Sequence, residues 1–329
     1  MRRSLLSVLV YSYCKNTECF YIFSAMKFLL LLLLATAQKK DSIPMLLADP
    51  TIFTWKGTHY AFGTNRNDGF PVFVSKDLKH WADSGMALKK GEAFGEKGFW
   101  APQVFHYGSK FYMAYTANEE IAIASSDHPA GPYKQQDLRS IAADKKQIDP
   151  FVFFDEGKIY LYHVRLDSGN RIFVGELNKE LNAFIPGTVQ KCMQAGEGWE
   201  NTKNAPWPVM EGPTVIKKDK LYYLFYSCND FRNIDYAVGV AVSSSPVGPW
   251  KRYEGNPIIS RKNTGANGSG HGDVLHVGNK WYYVFHTHFD EQKVSPRKTY
   301  LVEMKWGKGF PEIIPATIRA IYIASGAIH

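Results

Sequence analysis

Three carboxylates stand at corresponding places in a repeated phrase: Asp49 in Asp49-Pro50-Thr51-Ile52-Phe53, Asp149 in Asp149-Pro150-Phe151-Val152-Phe153, and Glu211 in Glu211-Gly212-Pro213-Thr214-Val215. Acids brought together across one bond can divide proton transfer, one protonating a leaving oxygen while another, ionised, draws a proton from an attacking water. Hydrolysis of a glycosidic bond needs such a pair on opposite sides of that bond. Singly each acid is a weak signal, because Asp-Pro is a common turn dipeptide. In register on one repeat, the three point to a shared site.

The phrase recurs as Ala101-Pro102-Gln103-Val104-Phe105 and His271-Gly272-Asp273-Val274-Leu275, and ten residues after the Pro (Gly272 in the last copy) an aromatic returns: Tyr60, Tyr112, Tyr160, Tyr223, Tyr282. Each copy continues through a turn such as Lys56-Gly57 or Glu156-Gly157, an aromatic-rich second strand such as Leu221-Tyr222-Tyr223-Leu224-Phe225-Tyr226, and a third strand of small apolar residues such as Val238-Gly239-Val240-Ala241-Val242. An outer strand is expected near Trp81, Tyr133 and Trp250. The pattern predicts an all-β fold, a five-bladed β-propeller in which each blade is a four-stranded antiparallel sheet and the first strands line a central channel. No linker or low-complexity stretch interrupts it, so residues 38–329 are expected to form a single catalytic domain. The longest irregular segment, residues 191–210, carries Trp199 and Trp207 and is placed to build the mouth of a site.

Composition fits this picture. A chain 45% hydrophobic and 21% charged is ordinary globular protein, and 15% aromatics suit strands and sugar-binding surfaces. Residues 1–37 read as an upstream extension followed by a signal peptide. It starts at Met26, runs through the apolar stretch Phe28 to Leu34, and ends at an Ala35-Thr36-Ala37 cleavage site. That stretch is too short to span a bilayer, so no membrane insertion of the mature chain is expected, and the chain is expected to be exported, periplasmic or secreted. Losing Arg2, Arg3, Lys15, Lys27 and Glu18 lowers the net charge from +8 to +5. The remaining cations are scattered, which argues against a nucleic-acid partner. Of the four cysteines only Cys192 and Cys228 remain, as a disulfide or as two buried thiols. No His/Cys cluster suggests zinc, and His286 and His288, on one side of a strand, fit packing better than metal ligation. Oligomeric state is not legible.

Ala48-Asp49-Pro50, Ile148-Asp149-Pro150 and Met210-Glu211-Gly212-Pro213, in this order, resemble glycoside hydrolase family 43, the five-bladed β-propeller enzymes. Ser75-Lys76-Asp77-Leu78-Lys79-His80-Trp81, Trp100-Ala101-Pro102 and Ser244-Ser245-Pro246-Val247-Gly248-Pro249-Trp250 extend the match to about residues 44–306. The resemblance implies an inverting glycosidase of plant-type polysaccharide that removes α-L-arabinofuranosyl or β-D-xylosyl units. In it Asp49 is the general base, Glu211 the general acid, and Asp149 the residue that raises and orients the acid. Inversion implies roughly 6.5 to 9.5 Å between Asp49 and Glu211, enough for a water. Trp100 is a sugar-stacking residue or a packing residue at the rim. His271 resembles the family's channel histidine, which contacts water or a central cation; the resemblance therefore leaves room for a structural Ca2+ at the propeller axis, with no cofactor required. Arg297 resembles an arginine that reaches the bound sugar in some relatives. The other readings are a galactan-acting glycosidase of the same fold, a five-bladed phosphorylase, and a non-catalytic carbohydrate-binding propeller.

Overall fold

The computed structural model describes residues 42–307 and 309–324; the expected leader, residues 1–37, lies outside the described residues. Five antiparallel sheets follow one another along the chain. Their innermost strands are Ala48–Trp55, Trp100–Tyr107, Gln147–Asp155, Met210–Lys218 and Gly270–Val277. Each packs on the innermost strand of the next blade and the fifth packs on the first, which closes the ring. The fold is the expected five-bladed propeller.

Alternation along each strand explains why the ring holds. Successive side chains face opposite sides of a sheet, and in the inner strands of each blade both sides are buried against neighbouring blades, so those strands are largely apolar, whereas outer strands such as Gln190–Gln194 and Lys251–Arg252 expose polar residues. Five apolar clusters result, one in each seam between blades, with Phe62, Phe70 and Tyr115 between blades one and two and Phe225, Tyr283 and Phe285 between blades four and five. Blades one, three, four and five have the four expected strands. Blade two has three, and the place of its outer strand is taken by one bridge between Ser125 and Lys134. Pro132, just before that bridge, lacks the N–H a longer ladder would need. In blade one the outer strand Trp81–Lys89 is flanked by Tyr322–Ala324, which pairs parallel to it through Ile323 and Trp81.

Residues 191–210 are less irregular than expected. They begin within the strand Gln190–Gln194 and include a 3-10 turn, Gly198–Asn201. Trp199 packs into the seam between blades three and four, whereas Trp207 reaches the central cavity. Cys192 and Cys228 are free thiols, and burial pushes the Cys192 thiol up to about 12.

Candidate active site

Near the start of every innermost strand lies a left-handed residue: Asp49 (φ 48°), Ala101 (46°), Asp149 (56°), Gly212 (59°) and His271 (39°). The ladder register shifts at each of these points, so each is a bulge that bends the strand end toward the axis. Asp tolerates this conformation better than most residues. In blade four the bulge residue is Gly212, where a Cβ would come within 2.8 Å of the His271 ring. Glu211 therefore precedes the bulge rather than occupying it, one place off the expected alignment with Asp49 and Asp149. A one-residue offset along a strand reverses the side-chain direction. Glu211 shares its position with Trp100, and both line the wall of the cavity.

Fourteen residues after each Pro or Gly272, the second strand supplies Thr64, Thr116, Val164, Ser227 and His286. Four of these accept the N–H of the next bulge residue: Ala101 to Thr64 Oγ1 (3.0 Å), Asp149 to Thr116 Oγ1 (2.9 Å), His271 to Ser227 Oγ (2.8 Å) and Asp49 to His286 Nδ1 (3.1 Å). Val164 has no acceptor to offer, and the Gly212 N–H donates instead to Asp149 Oδ2 at 3.2 Å. Asp149 is thereby tied to the strand end that carries Glu211. This periodic polar position is the signal that sequence reasoning passed over.

The three acids lie at the base of a cavity of about 480 Å3 and are only 6 to 8% exposed. Their partners differ, and so does their chemistry. Asp49 receives Arg297 Nη1 at 2.9 Å and Nη2 at 3.4 Å, and the Thr64 hydroxyl at 2.6 Å, with His271 Nδ1 at 3.3 Å. Burial alone would raise its pKa, but Arg297, the two histidines and Thr64 together outweigh burial and hold the carboxyl well below the usual range. Glu211 accepts Asn170 Nδ2 at 2.8 Å and the Tyr236 hydroxyl at 2.9 Å and meets no cation, so burial pushes it up to about 7. Burial and then the charge of Glu211 raise Asp149 well above its ordinary value. The cavity thus keeps one acid ionised and favours a proton on the Glu211–Asp149 pair.

Arg297 lies over the Phe231 ring, 4.6 Å from its centre, and the His288 ring meets the Phe231 carbonyl at 2.8 Å, so the residue under the guanidinium is itself tied down. His271 and His286 are buried, and burial lowers both pKa values against the pull of Asp49. Trp100, 37% exposed, faces the cavity from blade two. All six expected residues meet in this cavity. The segment expected at the mouth of the site reaches the cavity through Trp207, whereas sequence reasoning missed Asn170, Tyr236 and Thr64, which lie outside the repeated phrase. Because Tyr236 donates to the ionised form of Glu211, Tyr236→Phe should raise the acid's pKa and move the basic limb of the kcat/KM profile up by about one pH unit. A pH–rate series on the variant checks this.

Below the acids, Thr51, Gln103, Thr214 and Asp273 surround a space of about 30 Å3 on the axis. Asp273 accepts the Thr51 hydroxyl at 2.5 Å and the Val274 N–H at 2.7 Å, and burial pushes it up to about 6. A single carboxylate among two hydroxyls and an amide is a poor donor set for a divalent ion and a good one for a water. Among the described residues no three His, Cys, Asp or Glu side chains group as metal ligands.

Comparison with known proteins accounts for this arrangement. A crystal structure described as an endo-1,4-beta-xylanase from Bacteroides thetaiotaomicron superposes with a TM-score of 0.81 at 35% identity, covering 87% of this chain and 99% of that one. A xylosidase/arabinosidase of Butyrivibrio fibrisolvens is 28% identical over 76% of this chain, which spans about half (51%) of that relative. An extracellular endo-alpha-(1->5)-L-arabinanase 2 of Bacillus subtilis is 24% identical over 87% of this chain and 64% of its own length. The model of the glycosyl hydrolases family 43 matches residues 42–311, a span that contains every residue of the cavity described above, and the chain belongs to that family.

Proposed function

We propose that this chain is an inverting glycoside hydrolase that removes terminal α-L-arabinofuranosyl or β-D-xylosyl units from plant-type polysaccharide or oligosaccharide. The observation that carries the reading is the opposed surroundings of two buried acids in one cavity, Asp49 paired with Arg297 and Glu211 bonded to the neutral Asn170 and Tyr236, with burial pushing Glu211 up to about 7. Glu211 gives its proton to the glycosidic oxygen as the bond to the anomeric carbon breaks. Asp49 takes a proton from the water that attacks that carbon from the other face. Asp149 holds the Gly212 N–H, and its own negative charge, when present, favours the proton on Glu211. Arg297 has a double task, keeping Asp49 ionised and offering guanidinium hydrogens to sugar hydroxyls.

All five blades contribute to the cavity wall, with Trp207 and Phe231 rising above the acids, and this enclosure favours removal of single units from a chain end. The enzyme assignment and the pentose choice are tested together on a panel of nitrophenyl glycosides. Turnover of the α-L-arabinofuranoside or the β-D-xyloside, independent of phosphate, is the expected result. Phosphate-dependent release would assign a phosphorylase instead, and sugar affinity without turnover a binding propeller. Export, expected from residues 26–37, fits a substrate too large to enter a cell.

A further inference from the structure

Beside the catalytic cavity lies a second one of about 240 Å3, and Trp207, Val209, Asp230 and Arg232 form a wall common to both. Its far side is built by residues 201–205 and by Asn229 and Asn233. These asparagines engage the loops themselves: Asn201 Oδ1 accepts the Ala205 N–H at 2.8 Å, Asn229 Oδ1 the Thr202 N–H at 2.9 Å, and Asn229 Nδ2 donates to the Trp199 carbonyl at 2.8 Å. The cavity is therefore preformed, and what it leaves for a ligand is the Trp207 ring, the Lys203 ammonium and the Asp230–Arg232 pair.

Trp207 is 48% exposed, yet it is not loose. Its indole N–H donates to Asn170 Oδ1 at 2.9 Å, and Asn170 Nδ2 donates in turn to Glu211 Oε2 at 2.8 Å. A fixed, exposed indole offers an apolar face to a sugar ring at little entropic cost. The chain of hydrogen bonds also ties the edge of that indole to Glu211, whereas Asp49 is held by Arg297. Protonation by Glu211 occurs at the oxygen joining the terminal sugar to the rest of the substrate, so the departing part must lie beside Glu211.

We propose that the second cavity is the leaving-group subsite, in which the sugar attached through the scissile oxygen stacks on Trp207 and meets Lys203 and the Asp230–Arg232 pair through its hydroxyls. The substrate class is then an oligosaccharide of at least two units, and small aglycones forgo these contacts. This inference rests on the hydrolase reading above.

The test compares kcat/KM for a disaccharide with that for the glycosyl fluoride of the same terminal sugar, which has no sugar leaving group. Trp207→Ala removes the stacking face, and Ala205→Trp, on an exposed loop, fills the cavity without touching the acids. In both variants the ratio of disaccharide to fluoride kcat/KM should fall at least about tenfold, mainly through the disaccharide KM. A ratio within twofold of wild type in either folded variant overturns the subsite; if Trp207→Ala does not fold, Ala205→Trp decides alone. Failure of the wild type to hydrolyse the fluoride would instead overturn the hydrolase reading.

Discussion

Asp49→Asn is expected to lower kcat/KM by on the order of 10^3- to 10^4-fold on every substrate, whatever its leaving group, because the attacking water loses its proton acceptor in all cases. Asn has the shape of Asp and can still accept from Thr64, but it gives Arg297 no charge to pair with. The guanidinium then stands uncompensated among His271, His286 and Phe231, and some loss of stability accompanies the loss of rate. Steady-state kinetics across a series of leaving groups, together with a thermal melt, separates the two effects. A loss confined to poor leaving groups would contradict the role of Asp49 as base.

Glu211→Gln should behave in the opposite way. For a sugar leaving group, which departs only when protonated, kcat/KM should fall on the order of 10^3-fold; for a dinitrophenyl glycoside, whose leaving group needs no proton, the fall should stay under about tenfold. The same variant should lose the basic limb. In the wild type, activity requires Glu211 protonated, so kcat/KM is full below the acid's pKa and falls as pH rises through about 7. On the acid side Asp49 is held ionised well below the usual carboxylate range, so no matching fall is expected near pH 4. A uniform loss on good and poor leaving groups would remove Glu211 from the acid's role.

Fold and acids were legible because the ring repeats. A phrase written five times places its copies around one axis, and the spacing from Pro to Tyr gave the hairpins directly. What repetition could not convey was how each acid is tuned. Asn170 begins a third strand and Tyr236 precedes another, as Arg297 precedes the third strand of blade five, but the loops leading to these strands differ in length, so no fixed spacing marks them and they reach Glu211 only through the folded ring. The position of Thr64, Thr116, Ser227 and His286 does repeat, but its residue types differ, since a hydroxyl and an imidazole nitrogen can accept the same N–H. Val164 breaks that pattern, and the break explains why Asp149 engages the strand of Glu211. Glu200 shows the converse limit. It is a buried acid as well, yet Arg252, Tyr226 and the Gly196 N–H satisfy it outside the cavity lining, and its place in the fold, not its residue type or burial, separates it from the three acids of the cavity. The one-residue offset of Glu211 is already written in Glu211-Gly212-Pro213, where Gly212 holds the place of Asp49 and Asp149 before the Pro; what the fold adds is that Gly212 takes the left-handed bulge.

The central claim is that Asp49 and Glu211 act from opposite faces of one sugar with a water between them. Proton NMR of the first sugar released, recorded before mutarotation, tests it most directly. The account predicts that the anomeric configuration of the product is opposite to that of the substrate; retention would mean that a carboxylate attacks the sugar itself, and would contradict the division of labour assigned to the two acids.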